Sequence, residues 1–212
     1  MGGIVSDLIA SESAYIYTGS TCCARFIELA DAEGLLSLRT DPVLSKYISK
    51  VDSDVDVQKE WIEAYKMREA AGKEFYFAII ENKKFIGTTR IYNIDFPNRV
   101  FTGGSWVIRS DGNSLAAVEA LLATYSFAFD GLGMDTDVFD VRKENKAVLA
   151  FHKNSGAKII GESEMDFFEI RTARGFDKYL EKIHKIVPVH RFSKGSVTRI
   201  LKNKGIPYLC EG

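Results

Sequence analysis

Val100-Phe101-Thr102-Gly103-Gly104-Ser105-Trp106-Val107-Ile108, then the turn residues Arg109-Ser110-Asp111-Gly112-Asn113-Ser114, the apolar block Leu115 to Phe129 and the segment Thr136-Asp137-Val138-Phe139-Asp140-Val141 together decide the fold. The first and last segments read as strands, and the block between them as a helix apolar almost all round and therefore buried. Strand, buried helix, strand implies one right-handed crossover, which lays the two strands parallel. Upstream, Glu74 to Glu81, Phe85 to Ile94 and Val100 to Ile108 are joined by short turns at Asn82-Lys83 and at Asp95 to Asn98. That spacing predicts an antiparallel meander. The expected class is therefore α/β (α+β): a mixed, mostly antiparallel twisted sheet with one parallel strand pair and flanking helices.

Working outward, residues 1–23 carry little periodicity and read as an N-terminal arm, with a short strand at Ala14 to Tyr17. A strand from Arg25 to Leu29 leads to Asp31, a cap for a helix ending near Arg39. The acidic turn Asp52 to Asp56 opens a second helix, with Val57, Trp61, Ile62 and Tyr65 at helical spacing and Gly72 as its stop. Beyond Val141, Asn145 is a natural N-cap and Gly156 a natural helix end, and Asn145, Leu149 and His152 share one face between them. Strands near Lys158 to Gly161 and Met165 to Arg171 complete a central unit, 24–172. Residues 173–212 form a C-terminal extension, basic from Lys185 to Leu209 through Lys185, Arg191, Lys194, Arg199, Lys202 and Lys204 with no acid. This extension reads as a docking or solvated helix, with phosphate or nucleic-acid contact as the sharper alternatives.

Composition excludes several classes. With 28 basic and 29 acidic residues among 212, the chain as a whole has no bias toward nucleic acid or anionic membrane. Cys22, Cys23 and Cys210 suit neither a disulfide framework nor a zinc site, so a reducing, cytoplasmic setting and no metal are expected. No apolar run is long enough to span a bilayer, and the Met1-Gly2 start matches the loose myristoylation pattern only at positions common by chance.

The run Val141 to Ala157 resembles the fourth helix of the GNAT superfamily of N-acetyltransferases, with Asn145 matching, His152 where that family usually has a Tyr and Gly156-Ala157 in place of Gly-Phe. The Arg39-Thr40-Asp41-Pro42 segment is similar to the Arg-x-Asp-Pro opening of the branch that acetylates ribosomal-protein amino termini and amino sugars. The resemblance covers roughly residues 24–172 and rests on order and spacing. It implies a GNAT fold whose parallel strands splay apart, acetyl-CoA as cosubstrate, and a small-molecule amine as acceptor, most plausibly an amino sugar or nucleotide-linked amino sugar. A protein N-terminus is the alternative acceptor, a non-catalytic acyl-CoA-binding module the alternative function. A homodimer is compatible with the resemblance; membrane and nucleic acid are not favoured as partners.

By the same resemblance, the turn before the buried helix binds the pyrophosphate through backbone amides and the positive end of the helix. Two registers are open, one reading Arg109 and Gly112 as the motif, the other placing the turn at Gly112-Asn113-Ser114-Leu115-Ala116-Ala117. The second keeps the helix length. Cofactor contacts are thus expected from Gly112, Asn113, Ser114, Leu115 and Ala116, from the strand Trp106, Val107 and Ile108, and from Asn145. Asp111 should point to solvent, because a carboxylate facing the pyrophosphate would repel it. His152 is the candidate acid for the departing thiolate, but an imidazole with a pKa near ~6.5 is mostly neutral at pH 7, so it needs an acidic neighbour or must donate its neutral N–H. The general base stays open among Glu28, Glu74, Asp95, Glu119 and a bound water chain.

Overall fold

The computed structural model describes residues 15–109 and 114–207, with the side chain of Ser114 left out. Ser110, Asp111, Gly112, Asn113 and Cys210 lie outside the described residues, as does most of the expected arm. The strands are β1 (Tyr17–Thr18), β2 (Cys23–Phe26), β3 (Phe75–Glu81), β4 (Lys84–Asp95), β5 (Val100–Ile108), β6 (Thr136–Arg142), β7 (Lys158–Glu162) and β8 (Asp166–Thr172). They form one sheet in the order β1-β2-β3-β4-β5-β6-β8-β7. Every neighbouring pair is antiparallel except β5 with β6, which is parallel.

Among the described residues six α-helices flank the sheet: α1 (Ala32–Thr40), α2 (Val55–Ala70), α3 (Ser114–Ser126), α4 (Lys146–Asn154), α5 (Ala173–Ile183) and α6 (Lys194–Asn203). Strand β3 shows how they divide. All its residues from Phe75 to Ile80 are buried, so it has helices on both faces, and the period of two sorts its side chains. Phe75, Phe77 and Ile79 join the main core with α3, α5 and α6; Tyr76, Ala78 and Ile80 join a second core with Ile27, Leu35, Ile62 and Tyr65 from the α1 and α2 side. Phe127, fully buried in a π-helical turn that continues α3, packs on Phe26, Phe75, Phe77 and Phe192 at ring separations of 5.3–6.3 Å.

Local endings follow the sequence. Gly72 and Gly156 close α2 and α4 at φ +67° and +89°, a region costly for any residue with a Cβ. Asp54 caps α2 through its side chain, accepting from the Asp56 amide at 2.8 Å. Asp31, by contrast, sits at the start of α1 without capping it. Its carboxylate accepts from Arg25 at 2.6 and 2.7 Å and from the Glu28 amide at 2.8 Å, because a buried acid gains more from a bidentate guanidinium than from one helix amide.

Candidate active site

The feature that opens a site is the premature end of the β5–β6 ladder. Pairing covers only Val100 with Thr136 and Phe101 with Asp137. Beyond it, the buried Asp137 carboxylate stands between the strands and accepts the Gly103 N–H at 2.7 Å. Gly103 and Gly104 supply no side chain to fill the gap; a Cβ on Gly103 would meet the Tyr125 ring at 3.0 Å, and one on Gly104 the Tyr92 ring at 3.0 Å. A bulge follows. Thr88 is opposite Val107 and Arg90 opposite Gly104, so β5 spends an extra residue there, with Ser105 at φ +48° and its carbonyl held by the Thr88 hydroxyl at 2.9 Å. Past Phe101 the β6-facing edge of β5 therefore has no strand partner; the Gly103 amide is taken by Asp137, and the gap is of the kind an extended ligand can fill as an added strand would.

The resulting cleft has a volume of 310 Å³. From the expected set, Trp106, Val107, Asn145 and His152 line it together. Trp106 is fixed by its indole N–H on the Ala117 carbonyl of α3 at 3.0 Å, and its ring leans on Phe151 and His152. Asn145 caps α4 with a long 3.4 Å bond from the Val148 amide, and α4 turns Asn145, Val148 and His152, rather than Leu149, toward the cleft. Ile108 pairs with Gly87 and packs on the core, outside the lining. Leu115 and Ala116 lie near the start of α3 outside the lining, Leu115 half-buried and Ala116 with no exposure at all. Gly112 and Asn113 lie outside the described residues; Ser114 is the first residue of α3.

His152 is buried, and its ring sits 4.6 Å from Phe139. Its Nδ1 lies 2.5 Å from a terminal nitrogen of Arg171. Burial, and then the Arg171 charge, push the imidazole down to about 3. Of the two options open to it, the geometry leaves His152 the second: it faces a cation, not an acid, so the N–H it can offer at neutral pH is that of a neutral ring. Arg171 itself is fully buried and also reaches Asp137 at 3.3 Å and the Ser155 hydroxyl at 3.1 Å.

None of the four carboxylates weighed as base lines the cleft. Glu28 pairs with Lys66, Glu74 is buried between Arg68 and Arg90, Asp95 caps the Asn98 turn, and Glu119 is buried holding the amides of Ser20 and Thr21. Among the described residues Asp140 is the one carboxylate on the wall. Three arginines line the same cleft. Arg39 donates to the Ser49 carbonyl at 3.2 Å while its buried Nε has no partner among the described residues. Arg90 stacks 4.5 Å over Tyr92, and Arg142 pairs with Asp166 at 3.3 Å. Only Arg39 was singled out from sequence, and as part of a motif rather than as a wall. Among the described residues no cluster of His, Cys, Asp or Glu could hold a metal ion, and no helix is long and apolar enough to cross a membrane.

A sequence model of the acetyltransferase (GNAT) domain matches residues 23–158. Among solved structures the chain is similar to apo FdhC, a nucleotide-linked sugar GNAT: 33% identity, TM-score 0.73, covering 80% of this chain and 97% of that one. It shares its fold with the ribosomal-protein-S5-alanine acetyltransferase of Vibrio fischeri (16% identity, TM-score 0.65, 74% of this chain and 95% of that one). The same holds for the spermidine N-acetyltransferase of Vibrio cholerae in complex with CoA and spermine (17% identity, TM-score 0.62, 76% and 99%). No curated protein matches the chain.

Proposed function

The chain belongs to the GNAT acetyltransferase family, and we propose that it transfers an acetyl group from acetyl-CoA to the primary amine of an amino sugar carried on a nucleotide. The observation that carries the finer half is the arginine wall. Arg142 is held by Asp166, but Arg90 and Arg68 share the single carboxylate of Glu74 and Arg39 has no acid partner among the described residues, which leaves cationic guanidinium forks in the cleft lining to suit the oxygens of a diphosphate. The same wall opposes a polyamine, whose charges would meet arginines. The 33% identity to a nucleotide-linked sugar GNAT supports the same acceptor class.

The residues present fit the cosubstrate. Acetyl-CoA supplies the thioester; the unpaired edge of β5 beyond Phe101 can hydrogen-bond its amide-bearing arm, and Asn145 stands at the mouth. The Gly112 to Ala116 turn is the proposed seat for its phosphates. Backbone N–H groups of the β5 bulge around Trp106 serve as oxyanion donors, and His152 offers its N–H to the charge that develops on sulfur. Asp140 or water takes the amine proton.

Thiol release from acetyl-CoA tests the proposal across matched acceptors. A nucleotide-linked amino sugar should exceed the free sugar in kcat/KM by at least ~10-fold, the worth of one charge-assisted hydrogen bond. Equal rates for both, or faster turnover of spermidine or of a peptide amino terminus, would refute the acceptor.

A further inference from the structure

We propose that Arg171 is a positioning residue of this site: from behind α4 its guanidinium locks His152 into the single tautomer that presents an N–H donor, never a lone pair, to the cleft. The inference rests on the acyl-transfer reading of the cleft for its purpose, but its geometry stands alone. A guanidinium has only donors. With a terminal nitrogen 2.5 Å from Nδ1, the imidazole must accept there, so the ring proton sits on Nε2. Protonating Nδ1 as well would set N–H against N–H beside a full positive charge.

Arg171 is held in turn by groups on every element packed around it. Asp137 lies opposite it in the β6–β8 register and accepts at 3.3 Å. Ser155, beyond the end of α4, takes a second bond from the nitrogen that serves His152. The Tyr125 ring of α3 lies 4.3 Å from the guanidinium carbon, and Phe139 of β6 lies 5.1 Å away. Glu169, on β8 with a buried oxygen unpartnered among the described residues, and Tyr179 on α5 complete the titratable groups that feel its charge. Burial pulls the guanidinium down, yet Tyr125 and Asp137 more than offset it, so it stays charged.

The assembly therefore runs from β5 to the cleft: the Gly103 amide fixes Asp137, Asp137 fixes Arg171, and Arg171 fixes His152. The carboxylate that ends the β5–β6 ladder is the one that anchors the arginine, so opening the cleft and setting its histidine are one piece of construction. In the transfer, the amine nitrogen forms the C–N bond and gives a proton to Asp140 or water, while the C–S electron pair leaves with sulfur. His152 keeps its Nε2 proton and shares it with that sulfur, which takes its own proton from solvent. A cation at Nδ1 draws electron density toward itself and makes Nε2–H the better donor.

The full chain labelled with ¹⁵N-histidine tests this directly by NMR, the His152 signal being identified by its loss in His152→Gln. The expected wild-type spectrum has Nδ1 unprotonated, Nε2 protonated and no titration from pH 5 to 8. A proton on Nδ1, or a His152 midpoint between pH 6 and 7, would overturn the proposal. In Asp137→Asn/Arg171→Gln, which removes both buried charges together, the His152 midpoint should rise and both ring tautomers should appear, with burial still holding the midpoint below ~6.5. The variant's kcat should fall by about 10–100-fold, as when the outer partner of a working histidine is lost. An acidic limb should appear in its kcat–pH profile; a wild-type profile in that variant would also overturn the proposal. If the tautomer is as expected while no amine releases thiol, the arginine lock stands and the acyl-transfer reading fails.

Discussion

His152 and Asp137 are joined through one guanidinium, yet they pull stability in opposite directions with pH. The imidazole ionises at about 3 in the folded chain because of burial and then Arg171, against ~6.5 when unfolded, so between those values the unfolded chain binds the extra proton and stability is lost as pH falls. Asp137 is pushed up to about 6 by burial, against ~3.9 unfolded, so it is the folded chain that takes a proton as pH falls, and stability is gained. Wild type thus shows partial cancellation from pH 6 down to 4. His152→Gln keeps an acceptor for Arg171 and removes only the first contribution. Relative to wild type it should gain up to about 1.4 kcal/mol for each pH unit below 6, measured by urea unfolding. Parallel curves for the two proteins would show that His152 is not held neutral. The spacing of His152 from Asn145 and the helix bounded by Gly156 made this histidine legible in sequence. Arg171 was not, because an arginine at the end of a strand reads as solvent-facing; only the β6–β8 register places it opposite Asp137.

At the scale of elements, β5 carries the site through what it lacks. Its bounds, Val100–Ile108, are those the sequence pattern gives, and the helix and parallel strand that follow are where the crossover argument puts them. What periodicity cannot show is where a ladder stops. The Gly103-Gly104 pair was the visible hint, since glycine inside a strand marks a bulge or a close approach, but the wedge also needs the Asp137 side chain turned inward. Gly104→Val tests the wedge as an element. Its Cβ would press on the Tyr92 ring of the cleft wall at 3.0 Å and at a negative φ, so the fold has only a flexible ring to move. Melting temperature should drop by only a few degrees, while the acceptor KM rises by about tenfold or more, a loss of ~1.4 kcal/mol of binding. An unchanged acceptor KM would place the acceptor elsewhere. The helix caps divide in the same way: Asp54 behaves as its position suggests, whereas Asp31 is diverted to Arg25, a partner that lies across a turn and that no helix-start pattern records.

For the molecule as a whole, net charge near zero conceals two local surpluses, the arginine wall of the cleft and the basic stretch after Lys185. They have different causes. Along the basic stretch the charged residues alternate with apolar ones that the fold buries: Phe192, Val197, Leu201 and Ile206 join the main core, Val187 is buried as well, and Phe192 meets Phe127 at 5.3 Å. Its Arg191 is already spent on Asp130 and Asp177. Composition shows the cations of such a segment but not the ring they surround, so its packing was the least legible part of the fold. Five buried side chains at ~1.5–3 kcal/mol each amount to roughly 7–15 kcal/mol, about the whole stability of a typical domain. Removing residues 186–212 should therefore not release an appendage from an intact enzyme. The truncated chain should lose the cooperative thermal transition and its near-ultraviolet circular dichroism, and with them CoA binding by calorimetry. Were it instead to melt cooperatively within a few degrees of the full chain, α6 would be a peripheral attachment, and its cations would be free to serve a partner.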